Sequence, residues 1–133
     1  MQENEIHILF AEDDRLLRNI VSQELSGEGY HVLIASDGSE AMSMLPTNNF
    51  RVILLDIKMP DVDGFTVLAF IKRYFPSVKV IMLTGYADSE NALRAKQLGA
   101  DGFLAKPYDL EDLLTTIACV INSSGLVSTT SVL

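Results

Sequence analysis

Five short apolar runs, separated by amphipathic stretches, constrain the fold of this chain more than any other sequence feature. The runs are rich in branched side chains, which is typical of strands: Ile6–Phe10, Tyr30–Ile34, Val52–Leu55, Val78–Leu83 and Phe103–Ala105. The third and fourth runs show little alternation with polar residues, as expected for strands covered by helices on both faces. We therefore predict that these two strands lie centrally in a sheet.

The stretches between the runs have helical spacing. In the last stretch, apolar residues recur every three or four positions, at Leu110, Leu113, Leu114, Ile117 and Ile121. Asp37 and Glu40 form a capping pair ahead of a helix over 41–45. Asp88 and Asp109 are candidate caps for the two later helices. Strict alternation of strand and helix, joined by right-handed crossovers, predicts an α/β three-layer sandwich with a parallel sheet.

Length and composition predict one domain. The chain has 133 residues, of which 48% are hydrophobic, enough for one core and too few for two ordinary domains. We assign residues 1–122 to this domain. Residues 123–133, SSGLVSTTSVL, have no charge and many hydroxyls, so we expect a flexible tail or the start of a linker.

Charge and hydropathy exclude several classes of protein. The chain has 18 acidic and 10 basic residues, a net charge of -8 that argues against direct binding to nucleic acid. Its apolar runs are far shorter than the roughly 20 residues that cross a bilayer, so we expect no membrane span. A single cysteine, Cys119, and the lack of a leader pattern favour a reducing, cytoplasmic location.

Polar residues follow the predicted strands at the points where each strand ends. Ligands of open parallel sheets gather outside the carboxyl ends of the strands. If the sheet order is 2-1-3-4-5, the first and third strands are neighbours, which brings Glu12, Asp13 and Asp56 together. Thr84 follows the fourth strand and Lys106 the fifth. We expect Asp14 to be only a first-turn acid that interacts with the helix dipole.

Three carboxylates in one pocket need positive charge. Two unit charges about 4 Å apart repel by roughly 4 kcal/mol at an effective dielectric constant near 20. A divalent cation together with Lys106 balances the charges of the three acids, and hard oxygen ligands favour Mg²⁺. We expect Asp13 and Asp56 to be direct ligands of the ion and Glu12 to act through water.

Asp56 is also a candidate nucleophile toward phosphorus, because an aspartate carboxylate can form an acyl phosphate. Such chemistry depends on positioning and on neutralising charge: a metal, a cation and a hydroxyl donor around the phosphoryl oxygens. Mg²⁺, Lys106 and Thr84 are those three parts. Gly64 is expected to let the third helix begin close to the loop after the third strand.

Four segments of the chain resemble the response-regulator receiver domains of two-component signalling, the CheY-like superfamily. The segments are ILFAEDD, LLDIKMPDVDGF, VIMLTGYA and GADGFLAKPYDLEDLL, which occur in the order and at the spacing of that family from Ile6 to about Asn122. The resemblance implies a flavodoxin-like (βα)5 fold, an acidic pair at Glu12 and Asp13, and a phosphoacceptor at Asp56. It also implies that the domain is a signalling switch and not an enzyme that turns over a substrate.

Further roles are implied only by the resemblance. The backbone carbonyl of Lys58 would contact the metal, and Thr84 and Lys106 would bind the phosphoryl group. Phe103 occupies the position of an aromatic switch residue, and the bond before Pro107 is expected to be cis. The phosphoryl donor would be a histidine kinase or a histidine phosphotransfer protein. The receiver of the signal would be an output domain or target protein, with a homodimer through the helix 4–strand 5–helix 5 face as a further possibility.

Other interpretations remain beside this one. A pseudo-receiver would keep the fold as a protein-interaction module without phosphorylation. An aspartate-nucleophile phosphatase would need a second Asp two residues after Asp56, where this chain has Lys58. Flavin binding would need a phosphate cradle where the first loop is acidic. His7 and His31 have no cysteine or acid pattern typical of zinc sites, so we expect ordinary sheet positions. Phe103 fits half-buried packing as well as a switch.

Overall fold

The computed structural model describes residues 5–85 and 89–122. Its strands are β1 (His7–Ala11), β2 (His31–Ala35), β3 (Val52–Asp56), β4 (Lys79–Thr84) and β5 (Gly102–Ala105). Its helices are α1 (Arg15–Gly27), α2 (Gly38–Met44), α3 (Gly64–Tyr74), α4 (Ser89–Gln97) and α5 (Leu110–Asn122), with a short 3-10 turn at Leu45–Thr47. The alternation predicted from the sequence is confirmed.

The five strands form one parallel sheet in the order β2-β1-β3-β4-β5. This confirms the flavodoxin-like order 2-1-3-4-5. In the register of the sheet, Leu9 pairs with Ile53, which in turn pairs with Val80. Every residue of β3 is buried, as predicted for a central strand. By contrast, β2 lies at an edge and leaves Leu33 and Ile34 partly exposed.

Side-chain alternation along the strands divides the core into two layers. In β1, Ile8 and Phe10 pack on one face of the sheet, where the buried side chains of α1 and α5 lie. Leu9 and Ala11 point to the other face, which α2, α3 and α4 cover. Because successive strand residues point to opposite faces, a strand buried on both sides must be apolar throughout. The three-layer sandwich is therefore confirmed.

Aspartates begin four of the helices. The side chains of Asp14, Asp37 and Asp63 accept hydrogen bonds from the third residue after each, at 3.2, 2.8 and 2.9 Å. Asp109 accepts one from Asp112 N at 2.8 Å. Asp14 therefore does more than interact with the dipole: it satisfies a free N–H at the start of α1. The predicted cap Asp88 lies outside the described residues.

The predicted strands differ from the observed ones by about one residue. Val52–Leu55 extends to Asp56, and Val78–Leu83 shifts to Lys79–Thr84. Asp56 and Thr84 are therefore the last residues of β3 and β4, not the first residues of the following loops. Strand pairing with Leu83 and Ala105 fixes the backbone of both residues. Within the described residues, no helix is long and apolar enough to span a membrane.

Gly64 permits a close approach between α3 and the end of β3. A Cβ at this position would lie 2.4 Å from the carbonyl oxygen of Asp56 and 2.8 Å from the Cα of Ile57. Both are backbone atoms that cannot rotate away. Gly64 N also donates to Ile57 O at 2.8 Å. The first residue of α3 therefore has to be glycine for the backbone of Asp56 to keep its position.

Replacing Gly64 with alanine should destabilise the fold. We expect Gly64→Ala to lower the free energy of unfolding by about 1–3 kcal/mol, the usual range for overpacking. Gly27→Ala is a matched control, because a Cβ there meets no atom within 4 Å. The control should be neutral or slightly stabilising. Urea unfolding followed by circular dichroism measures both, and equal midpoints for the two variants would contradict the predicted clash.

Candidate functional site

A cleft at the carboxyl edge of the sheet collects the predicted polar residues. Asp56 and Thr84 end β3 and β4, and Glu12 directly follows β1. Glu12 and Thr84 are each 1% exposed and Asp56 is 5% exposed, whereas Asp13 is open to solvent. The cleft is lined by Glu12, Asp13, Asp14, Asp56, Lys58, Thr84, Gly85 and Lys106. Most of the residues that line the cleft were therefore among the predicted site residues.

Lys106 reaches across the cleft from the end of β5. Its Nζ lies 2.7 Å from Glu12 Oε1 and 3.5 Å from Asp56 Oδ2. Its backbone N donates to Thr84 O at 2.6 Å, which ties the loop after β5 to the end of β4. The ammonium group therefore faces both buried carboxylates, and its shorter contact is with Glu12.

Several donors hold Glu12 in place. Its Oε1 accepts from Lys106 and its Oε2 accepts from Asp14 N at 3.1 Å. Its own backbone N donates to Ala35 O at 3.0 Å, and Arg18 Nη1 donates to its carbonyl at 2.8 Å. Both carboxylate oxygens of Glu12 are thus engaged by the protein. Asp56 has a looser arrangement, since its ion pair with Lys106 is longer.

The three carboxylates form a tight acidic group. Glu12, Asp13 and Asp56 each offer an oxygen, and these oxygens all lie within 4.8 Å of one another. Burial raises the pKa of Glu12 to about 6, against the lowering effect of the Lys106 ammonium. Burial likewise raises the pKa of Asp56, and the Lys106 charge opposes this shift without cancelling it. One cation is therefore insufficient to compensate two buried carboxylates.

Burial and charge act in opposite directions on Lys106. Burial lowers the pKa of its ammonium, but the hydrogen bond to Glu12 and the charge of Asp56 outweigh it, so the pKa is raised. Lys106 therefore stays charged at neutral pH. Tyr108, two residues later, lies near the same charges: burial first, and then Glu12 and Asp56, raise its phenol pKa. Tyr108 was not among the predicted site residues, although its position directly after Lys106-Pro107 was a usable signal.

The other predicted site residues surround this cleft. Lys58 lies exposed on the loop after β3. The peptide bond between Lys106 and Pro107 is cis. Phe103 on β5 is half-buried and packs against the core layer under α2, α3 and α4. It pairs with Met82 on β4, two residues before Thr84.

A second group of side chains with atoms able to bind a metal lies at the amino ends of the strands, opposite the cleft. Glu5, His7 and His31 each offer an atom within 4.8 Å of the others. Both histidines occupy ordinary strand positions, as expected, but the fold also brings the Glu5 carboxylate close to both rings, which the sequence pattern did not indicate. His7 and His31 are far apart in sequence, and only the register of β1 against β2 makes them neighbours.

Comparison with known proteins identifies the family of this fold. The response regulator receiver domain family matches residues 8–118. A probable transcriptional regulator ycf27 from Galdieria sulphuraria is 34% identical over 114 residues, which are 86% of this chain and 44% of that protein. The chain thus spans less than half the length of that relative.

Solved structures give the same result. A CheY-like response regulator receiver domain protein from Methanospirillum hungatei superposes with a TM-score of 0.84 at 35% identity, covering 87% of this chain and 93% of that one. Response regulator TrrA from Thermotoga maritima, in complex with Mg²⁺-BeF, superposes with a TM-score of 0.79 at 28% identity, covering 86% and 98%. The family match spans most of the chain and includes all of the sheet except the first residue of β1. This chain therefore belongs to the response regulator receiver domain family, the signalling domains of two-component systems.

Proposed function

We propose that this domain, residues 1–122, accepts a phosphoryl group on Asp56 in an Mg²⁺-dependent reaction in the cytoplasm. The donor would be the phosphohistidine of a histidine kinase or phosphotransfer protein. The observation that supports this best is the placement of Asp56: a buried carboxylate in a cleft with two further acids and one ammonium group. The relatives of this chain include transcriptional regulators longer than the chain, which supports an output domain or target protein as partner.

Asp56 is a better nucleophile candidate than either neighbouring acid. Both oxygens of Glu12 accept hydrogen bonds from the protein, from Lys106 and from Asp14 N. Asp13 is exposed, so its carboxylate is well hydrated. Asp56 lies between these two in the cleft, is almost fully buried, and meets Lys106 at 3.5 Å, a longer contact than that of Glu12. A buried carboxylate that faces a cation without a short ion pair is the best placed of the three to attack phosphorus.

The charges of the cleft fit a divalent cation. Three carboxylates and one ammonium leave a net charge of about minus two, which Mg²⁺ would neutralise. Asp13, Asp56 and the backbone carbonyl of Lys58 would hold the ion directly, and Glu12 would act through water. When bound, the ion supplies charge neutralisation for the phosphoryl oxygens and for the acids themselves.

The transfer step needs few protein groups. A carboxylate oxygen of Asp56 forms a bond to phosphorus while the P–N bond of the donor breaks and its electron pair stays on the imidazole nitrogen. Lys106 is charged and already faces Asp56, so it would pair with a phosphoryl oxygen. The Thr84 hydroxyl, at the end of the neighbouring strand, would donate a hydrogen bond to another. Hydrolysis of the acyl phosphate would reset the domain.

The face formed by α4, β5 and α5 is the proposed signalling surface. Among the described side chains of α4, only Ala95 is fully buried, and Leu93 is 55% exposed. α3, by contrast, buries five residues. A helix with so little buried area can change its packing at low cost. Movement of Thr84 and repacking of Phe103 would link the phosphoryl group to this face, through which a homodimer would also form.

Phosphorylation can be tested directly. Incubation with acetyl phosphate and Mg²⁺ should add one phosphoryl mass to the chain, and Asp56→Asn should abolish it, because an amide is not a nucleophile here. Asp37→Asn is a matched control, since asparagine caps a helix as well as aspartate. Intact-mass spectrometry measures all three. A wild-type chain that is never labelled, although folded, would instead indicate a pseudo-receiver.

Stability should depend on pH in the metal-free protein. The folded-state pKa values of Glu12 and Asp56 are raised, so the stability they contribute is present at low pH and is lost as pH rises. For Glu12 the loss falls between about pH 4.5 and 7 and amounts to about 2 kcal/mol. Asp56→Asn should therefore stabilise the metal-free protein at pH 7.5 and have little effect at pH 4, because the variant removes a buried charge that is present only at the higher pH.

Chemical unfolding at several pH values, with and without millimolar Mg²⁺, measures this effect. Mg²⁺ should stabilise the wild type at neutral pH and stabilise Asp56→Asn less, because one proposed ligand is gone. The proposed charge balance would be incorrect if metal-free Asp56→Asn were no more stable than the metal-free wild type at pH 7.5. It would also be incorrect if Mg²⁺ stabilised both proteins equally.

The switch has its own test. Beryllium fluoride with Mg²⁺ should change amide hydrogen exchange in α4, β5 and α5, and leave α2 unchanged. Thr84→Val should remove most of this change, because valine has the same shape but cannot donate a hydrogen bond. Exchange measured by mass spectrometry that is identical with and without beryllium fluoride would refute the coupling.

A further inference from the structure

Three side chains with metal-binding atoms converge at the amino ends of β1 and β2, at the opposite end of the sheet from the acidic cleft. His7 begins β1 and His31 begins β2, and the two are direct partners in the parallel register. Glu5 lies two residues before His7, so it points to the same side of the chain. The sheet itself thus brings the three together.

Their contacts are close. The Glu5 carboxylate contacts Nε2 of His31 through Oε2, and its Oε1 lies 4.0 Å from Nε2 of His7. The two imidazole rings are 4.9 Å apart between centroids and tilted by 45°. One ligand atom from each residue lies within 4.8 Å of the other two. The Glu5 carboxylate therefore faces the Nε2 atom of each imidazole.

We propose that Glu5, His7 and His31 bind a first-row transition-metal ion, with Zn²⁺ as the reference case. Two imidazole nitrogens and one carboxylate oxygen are a ligand set that suits Zn²⁺ and is unsuited to Mg²⁺, which prefers oxygen. Donors on a tetrahedral zinc ion at about 2.0–2.1 Å are about 3.4 Å apart. The three ligand atoms already lie within 4.8 Å of one another, and side-chain rotations would bring them to this spacing. A water molecule would fill the fourth position.

The backbone is already fixed for this purpose. His31 N donates to Ile6 O at 2.9 Å, and Arg51 N donates to His7 O at 2.9 Å, so sheet hydrogen bonds hold both histidines. Only the side chains need to adjust, which limits the entropy lost on binding. The histidine side chains are 41% and 53% exposed and that of Glu5 is 25% exposed. An ion can therefore enter and exchange without unfolding of the domain.

The site would be independent of phosphorylation chemistry. It lies at the far end of β1 from Glu12, and it shares no residue with the acidic cleft. Bound metal would tie the segment before β1 to β2, the edge strand with exposed Leu33 and Ile34. The expected consequence is a more stable edge and a higher unfolding temperature in the presence of Zn²⁺.

The chain contains two histidines, so its imidazole NMR signals give a direct test. Titration of the tag-free full chain with Zn²⁺ should move the ring signals of both His7 and His31 together, saturating at one ion per chain, and Mg²⁺ should move neither. His7→Asn and His31→Asn should each weaken Zn²⁺ binding by about tenfold or more, measured by calorimetry. Glu5→Gln should weaken it too, with the exposed Glu28→Gln as the matched control.

Carrying out the same titration in the Asp56→Asn background separates the two sites, because that variant weakens the acidic cleft only. Zn²⁺ binding that survives there and is lost in His31→Asn supports the proposal. The proposal is overturned if one ring or neither shifts in the wild type, or if His31→Asn binds Zn²⁺ as tightly as the wild type. The wild-type ring shifts decide the question even if a variant fails to fold.

Discussion

Lys106 and Glu12 are 94 positions apart in the chain, yet their side chains meet at 2.7 Å. The pair joins the end of β5 to the end of β1, which are separated in the sheet by β3 and β4. It therefore spans the whole cleft in which Asp56 lies. A buried ion pair of this kind contributes little net stability, because desolvation offsets most of the attraction. Its main effect is positional: it places a cation beside Asp56 while leaving the acidic cluster with excess negative charge.

This arrangement depends on an apolar sheet. Strands buried on both faces have no room for polar side chains, so charge is confined to the strand ends. Glu12, Asp56 and Thr84 all lie at that boundary and are almost fully buried, whereas Asp13 one step further is exposed. The boundary desolvates these carboxylates, and this burial raises the pKa values of Glu12 and Asp56. The position of Asp56 also constrains α3, because this helix begins against the backbone of Asp56 and has room there only for Gly64.

Local patterns in the sequence predicted the elements and most of the cleft. Runs of branched residues located every strand to about one residue, and Asp37 marked the start of α2 as expected. Glu40, however, accepts from Ser36 N and not from the cap residue itself. The lengths of the two ion pairs of Lys106 could not be predicted. Whether its ammonium group lies closer to Glu12 or to Asp56 depends on distances that only the folded structure fixes. Asp63 was missed as a cap for a simpler reason: its loop contains two aspartates, Asp61 and Asp63, that are equivalent on sequence grounds.

The group of Glu5, His7 and His31 shows why some sites cannot be predicted from sequence patterns. Zinc motifs are recognisable when their ligands share one helix or loop, because the spacing is then local. Here two ligands belong to different strands, and a shift of one residue in the pairing of β1 with β2 would turn His31 to the other face. The register is determined by the core, through buried pairs such as Ala11 with Ala35, and not by the histidines. The same core packing thus positions oxygen donors at one edge of the sheet and imidazoles at the other, and ions of different chemistry are expected to select between the two edges.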